Sequence, residues 1–263
     1  MNLNLEHKKA FISGSTQGIG YAIAQQLLAE GAEVTINGRD IYKTGTAVDA
    51  LKKQFPESVV KGIAADFSNI DEVNNLLSQI DDIDILINNV GIFELKDFEA
   101  INDDDWYKIF DINVMSSVRL SRHIMAGLLK KKWGRILFIS SESGVNVPGN
   151  MIHYGMTKAA MMALSNGLSK LTRGTQVTVN TILGGPTYST GVAATIKALA
   201  TAQGIDVEQM KQGIITHTNP DSLLQRFINP EEIAHLVTYL ASPLSSATNG
   251  ACLRADGGVL RTV

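Results

Sequence analysis

Short apolar runs alternate along the chain with longer stretches whose apolar residues recur every three or four positions. That alternation is the signature of strand–helix units wound around a parallel sheet. Residues 9–13 (KAFIS) read as a first strand, and 18–30 as its helix, with Ile19, Ile23, Leu27 and Leu28 on one face and Gly31 ending it. Further strands are expected at 34–37, 59–64, 83–88, 135–140, 176–183 and 252–255. Residues 103–132 read as one long helix, capped by Asn102. Asp103, Asp104 and Asp105 lie at its positive end and Lys130, Lys131 and Lys132 at its negative end. Another helix covers 152–173, and Asn229-Pro230-Glu231-Glu232 starts a further one. The predicted class is α/β, with a doubly wound parallel sheet of about seven strands flanked by helices.

One stretch breaks the rhythm. Residues 187–226 hold an Ala-rich helical patch (192–202) and a second stretch from Val207, but no strand. With no repeat, low-complexity tract or linker, 1–263 reads as a single domain with 187–226 as an enlarged insert.

Composition narrows the class. Of 263 residues, 44% are hydrophobic and 19% charged, enough apolar surface for a core and too much for disorder. The net charge of −3 lacks the basic excess of a general nucleic-acid binder. Cys252 is the single cysteine, so neither an internal disulfide nor a CxxC metal site is available, and the five histidines show no metal-ligand spacing. The polar start and the lack of an apolar run near ~20 residues predict a soluble, cytoplasmic protein without a membrane segment. No metal is expected.

The first strand runs into Ser13-Gly14-Ser15-Thr16-Gln17-Gly18-Ile19-Gly20 and then a helix. Glycines there let the backbone approach a pyrophosphate, which the helix N-terminus favours electrostatically. The glycine spacing is G-x-x-x-G-x-G and not the commoner G-x-G-x-x-G. At the end of the second strand an acid would bind ribose hydroxyls, whereas an arginine accommodates a 2′-phosphate. Ile36-Asn37-Gly38-Arg39-Asp40 offers Arg39, which favours NADP(H). Asp40 beside it would compete for the guanidinium, so NAD(H) stays open.

Tyr154 and Lys158 stand at i and i+4, hence on one helix face, downstream of a strand ending in Ser140-Ser141. A phenol titrates near ~10, and a neighbouring ammonium would bring it towards neutral pH. With these residues the sequence resembles the short-chain dehydrogenase/reductase family, in its compact branch and over essentially the whole chain. Ser13-Gly14-(x)3-Gly18-Ile19-Gly20, Asp66, Asn88-Asn89-Val90-Gly91, Asn113, Ser141, Tyr154/Lys158, Asn180 with Gly185-Pro186, and Asp256-Gly257-Gly258 carry the resemblance.

The resemblance implies a Rossmann fold and an NAD(P)(H)-dependent oxidoreductase, active on a ketone, an aldehyde or a secondary alcohol. It makes Tyr154 the general acid/base, Lys158 the residue that lowers its pKa and holds the nicotinamide ribose, and Ser141 the donor to the substrate oxygen. Asn113 would anchor a water joining Lys158 to solvent. Gly14, Ser15, Gln17, Gly18, Ile19 and Gly20 would cradle the cofactor, and Asp66 would meet the adenine. Asn89 and Gly91 would line the ribose, while Pro186, Thr187 and Ser189 would hold the carboxamide. Four departures stand out: Ser13 for Thr, Val90 for Ala, Gly184 for Pro, and Gln17 where NADP-preferring members often carry a base.

Several residues keep two readings. His153 would approach substrate or only start the helix. Glu142 would tune the pocket or face water, and Met151, Met156, Met161 and Met162 would pack a core or line a pocket. Val192, Ile196, Leu199 and Ala200 would present an apolar face of the 187–226 lid over the nicotinamide. Cys252 reads as a small apolar filler in the last strand. The alternatives to a general carbonyl reductase are a 3-oxoacyl-carrier-protein reductase and, from another class, a non-catalytic cofactor-binding sensor or scaffold. Enoyl reduction is disfavoured, since relatives doing it use a wider Tyr–Lys spacing. The family implies a homodimer or homotetramer and a small-molecule partner.

Overall fold

The computed structural model describes residues 2–261. Seven strands, β1 (Lys9–Ile12), β2 (Glu33–Gly38), β3 (Val60–Ala64), β4 (Ile85–Asn88), β5 (Trp133–Ser141), β6 (Gln176–Gly184) and β7 (Cys252–Ala255), form one parallel sheet. Their order is β3-β2-β1-β4-β5-β6-β7. The order reverses between β1 and β4, so a crevice opens there beyond the carboxyl ends of the strands.

The helices are α1 (Gly18–Ala29), α2 (Ile41–Gln54), α3 (Ile70–Leu77), α4 (Asp103–Phe110), α5 (Ser116–Lys131), α6 (Ile152–Lys170), α7 (Thr190–Gln203), α8 (Val207–Thr218) and α9 (Pro230–Ala241). Both sheet faces are buried. Ile12, Ile36, Ile87 and Ile139 face one side with α1 and α9, while Phe11, Leu86, Ile136 and Phe138 face the other with α3, α5 and α6. Burial on two faces explains why the central strands read as continuous apolar runs.

The 103–132 helix is divided. Between α4 and α5 the backbone widens into a π-turn over Asp111–Met115. Its caps follow expectation: Asn102 and Asp105 form a capping box, and Lys132 closes α5 in the left-handed conformation. The widening coincides with Asn113, which is wholly buried and uses its amide outside the helix ladder. π-turns are frequent at functional sites.

The 187–226 insert folds as α7 and α8. Ile196, Ala200, Met210, Ile215 and Phe227 make a small core of their own. The expected apolar face over the nicotinamide is therefore corrected. Ile196 and Ala200 point into that core and Leu199 is exposed, leaving Val192 of the four along the cleft. Cys252 opens β7 as expected, but β7 is an edge strand and the residue is exposed, so it fills no core.

Candidate active site

The glycine turn is built by contacts between β1, β2 and β4. Gly14 and Gly18 have φ of +61°, a left-handed conformation that glycine adopts without strain. A Cβ on Gly20 would lie 2.6 Å from the Asn89 side-chain nitrogen and 2.7 Å from the Gly14 carbonyl oxygen. The turn is then tied down by polar side chains. Asn89 donates to the carbonyls of Ser13 (3.0 Å) and Gly14 (2.8 Å), and the Ser13 hydroxyl accepts from the N–H groups of Asn89 and Val90. Asn37 accepts from the Gly14 N–H at 3.1 Å. The Ser13 hydroxyl thus does what any hydroxyl at that position can do.

Beyond the turn a cleft of about 370 Å³ is lined by Gly14, Thr16, Gln17, Gly18, Ile19, Gly38, Arg39, Asp66, Asn89, Gly91 and Ser189, among others. A second recess of about 240 Å³ shares Ile19, Asn89, Gly91, Ile92, Phe93 and Ser189 with it, and adds Ser141, Tyr154, Lys158, Thr187 and Val192. Strand ends supply Ser141, the face of α6 supplies Tyr154 and Lys158, and the β6–α7 connection supplies Thr187 and Ser189. Residues far apart in sequence thus meet along one crevice.

Four expected residues stand behind its wall. Ser15 is fully buried and spends its hydroxyl on the Ile12 carbonyl at 2.6 Å and the Asn37 N–H at 3.0 Å. Gly20 and Pro186 shape the turn and the β6 exit without lining either recess. Asn113 accepts from the Ile92 N–H (2.8 Å) and donates to the Ile92 carbonyl (2.9 Å) and the Thr157 hydroxyl (3.0 Å). It locks the loop after β4 against α6.

Lys158 is buried, donates to the Ile139 carbonyl at 2.9 Å, and sits 5.5 Å from the Tyr154 ring centroid. A Cβ on Gly91 would come within 3.3 Å of its ammonium nitrogen, so this glycine keeps the approach open. Burial lowers the Lys158 ammonium to about 8, against the raising effect of Glu142. The Tyr154 phenol moves the opposite way from expectation. Burial first, and then the Glu142 charge, push it up, while the Ser141 hydroxyl pulls it down. Desolvation disfavours the phenolate more strongly than its surroundings support it.

Some residues were not singled out. Phe93 packs edge-on against Tyr154 with centroids 6.2 Å apart and is 54% exposed at the crevice mouth. Thr16 meets Gly38 so closely that a Cβ there would lie 2.5 Å from its methyl carbon. Their only sequence signal is position next to a motif. Of the residues with two readings, His153 lies in the first turn of α6, as the helix-start reading has it, and is buried edge-on against Trp106 of α4. Met161 belongs to the core, and Met156 is partly exposed. Glu142 turns inward: it accepts the Ser141 hydroxyl at 2.5 Å and the Ser143 hydroxyl at 3.2 Å.

The family model described as enoyl-(acyl carrier protein) reductase, adh_short_C2, matches residues 14–260. The chain belongs to the short-chain dehydrogenase/reductase family. It is an NAD(P)-dependent oxidoreductase of that family. It is 44% identical over 263 residues to the uncharacterized oxidoreductase YvaG of Bacillus subtilis, covering 100% of both chains. It is 30% identical over 259 residues to the D-beta-hydroxybutyrate dehydrogenase of Cupriavidus necator, covering 97% of this chain and 98% of that one. Its fold matches L-sorbose reductase from Gluconobacter frateurii, solved with NADPH and L-sorbose, at a TM-score of 0.94 and 28% identity over 100% of both chains. Among the described residues no helix is long and apolar enough to cross a membrane.

Proposed function

We propose that this short-chain dehydrogenase/reductase is an NADP(H)-preferring carbonyl reductase, reversible as an alcohol dehydrogenase, with Tyr154 as its general acid/base. The observation that carries the reading is the continuity of the two recesses. A turn with room for phosphates leads along Gly91 to Ser141, Tyr154 and Lys158. The residues fit a nicotinamide dinucleotide: the positive-φ glycines and the Gly20 and Gly91 approaches are places a Cβ would fill. When bound, the cofactor supplies or takes the hydride.

The chain's own groups do the rest. The α1 N-terminus and the turn amides hold phosphate. Arg39, exposed beside the crevice, meets a 2′-phosphate. Lys158 holds the ribose hydroxyls, Ser141 donates to the substrate oxygen, and Tyr154 gives that oxygen its proton in reduction and takes it back in oxidation. Asn113, through Ile92 and Thr157, fixes the distance between the two sides of the recess. Residues 187–226 serve as the substrate lid, with Val192 its contact to the recess.

A polyhydroxylated ketone leads the candidate substrates, since the L-sorbose reductase fold covers the whole chain. The test follows NADPH absorbance with ketoses, simple ketones and aldehydes, 3-hydroxybutyrate with NADP+, and 3-oxoacyl thioesters. Tyr154→Phe should bind NADPH normally and lose about 10²–10⁴-fold in turnover. NADPH binding with no Tyr154-dependent turnover would instead support a cofactor-binding sensor.

A further inference from the structure

Glu142 is the one acidic side chain joined directly to the Ser141–Tyr154–Lys158 group among the described hydrogen bonds. It follows Ser141 at the end of β5, where a one-turn 3₁₀ segment over Glu142–Gly144 packs against α6. The Ser141 oxygen accepts the Ser143 N–H at 3.1 Å, and its hydroxyl donates to Glu142 Oε2 at 2.5 Å. A hydroxyl has one proton to give. While Glu142 is a carboxylate, that proton is engaged with Glu142, and the substrate oxygen competes with a charged acceptor for it. Charge-assisted bonds of this kind are about twice as strong as neutral ones.

We infer that Glu142 is a positioning residue whose protonation state decides whether the Ser141 hydroxyl donates to Glu142 or to the substrate oxygen. The inference rests on the reading of Ser141 as the donor to that oxygen. With Glu142 neutral, its own O–H donates to the Ser141 oxygen, which already accepts from Ser143 and can take this second bond. The Ser141 proton then turns to the recess. The proton Glu142 gains comes from solvent, and beyond that ionisation only hydrogen bonds are rearranged.

The surroundings favour the neutral acid at higher pH than usual. Burial raises the Glu142 carboxyl, and the bonds from Ser141 and Ser143 only partly offset it. The titratable groups that feel its charge are Tyr154 and Lys158, both on α6, and the carboxylate acts to raise each of them. A Glu142 that only braced the 3₁₀ turn would displace the Lys158 and Tyr154 limbs through its charge but add no limb of its own to the pH profile.

Two measurements decide it, on the full chain. The first follows the Glu142 carboxyl band by infrared difference between wild type and Glu142→Gln. It should titrate above the ordinary 4.5, and Ser141→Ala should move it higher still, because a bond that stabilises the carboxylate is gone. A carboxyl that titrates at its ordinary value, or ignores Ser141→Ala, overturns the inference. The second is kcat/KM for reduction of L-sorbose, or of the best ketone of the panel, against pH. Wild type should fall about tenfold per pH unit above the Glu142 ionisation. Glu142→Gln should lack that limb, and Glu142→Asp should keep it, displaced. Any limb shared with Glu142→Gln belongs to Lys158 or Tyr154. Tyr154-dependent turnover with the same profile in wild type and Glu142→Gln overturns this inference alone. Absence of Tyr154-dependent turnover overturns both readings. NADPH binding by each variant checks that it folds.

Discussion

The Asp40 carboxylate accepts the Lys43 N–H at 2.8 Å and so caps α2, while its neighbour Arg39 forms no ion pair among the described residues. The competition between these two side chains, open in the sequence, is resolved by a backbone need. An N-cap on a 14-residue helix fixes the acid where the helix dipole and an orphan N–H both hold it. The guanidinium stays at the crevice with its charge uncompensated.

The proposed preference for NADP(H) rests on that division of labour. Arg39→Ala should weaken NADPH about 10–100-fold, the worth of one or two charge-assisted hydrogen bonds, with little change for NADH. Asp40→Asn, which preserves a cap, should leave the NADPH/NADH ratio unchanged. Fluorescence titration of both cofactors checks each; equal losses for the two cofactors in Arg39→Ala would reject the 2′-phosphate contact.

Asn113 joins Ile92 to Thr157 from within a π-turn. Asn113→Ala should cost about 2–4 kcal/mol, since it strands buried partners at Ile92 and Thr157. Urea unfolding measures that cost. Turnover should fall further than NADPH binding does, because the recess wall around Gly91 and Lys158 shifts with the loop.

Lys158, the proposed partner of Tyr154, is held at the expense of stability. Its ammonium is lowered to about 8 from 10.5, so the unfolded chain binds more protons between those values. Stability should therefore rise from pH 8 to 10.5, and the full cost of burying the charge is felt below pH 8. Lys158→Met should lose turnover yet raise the pH 7 melting temperature of the cofactor-free protein by a few degrees, on the order of 1–2 kcal/mol. An unchanged or lower melting temperature would mean that the bond to Ile139 outweighs desolvation.

Glu232 is also lowered, so stability again rises with pH, but here the charged form is the one that stabilises the fold. Arg226 pairs with it through two bonds of 2.7 and 2.8 Å, and the Asn229 N–H adds a third at 2.8 Å. These hold the carboxyl at about 2 against its usual 4.5. Its contribution is present above pH 4.5 and lost as pH falls towards 2. Thermal melts from pH 2 to 7 should show Glu232→Gln less stable at pH 7, with the gap closing in acid; the pair is exposed enough that the gap is small.

Much of the site was legible because its reasons are local. Positive φ at Gly14 and Gly18, an i/i+4 pair on α6 and the cap at Asn102 each follow from a few neighbouring residues. The burial of Ser15, Ile196 and Ala200 and the exposure of Cys252 were not legible, because burial is a property of neighbours distant in sequence. The Ser15 hydroxyl answers to Ile12 and Asn37, α7 turns most of its apolar face to α8, and β7 happens to be an edge. The π-turn was hidden too, since the periodicity of 103–132 is nearly that of a straight helix and its cause lies in Ile92 and Thr157.

The sequence by itself determined the alternation of strands and helices, the glycine turn and the residue types of Ser141, Tyr154 and Lys158, because spacing and backbone sterics act within a few residues. Only the tertiary structure decided what those groups experience. Folding buries Lys158 and half-buries Tyr154 in one recess, where loss of water pulls one pKa down and the other up. It also brings the Glu142 carboxylate onto the Ser141 hydroxyl, a contact that sequence adjacency permits but that the turn after β5 creates. Desolvation depends on everything around a group, and no local pattern encodes it.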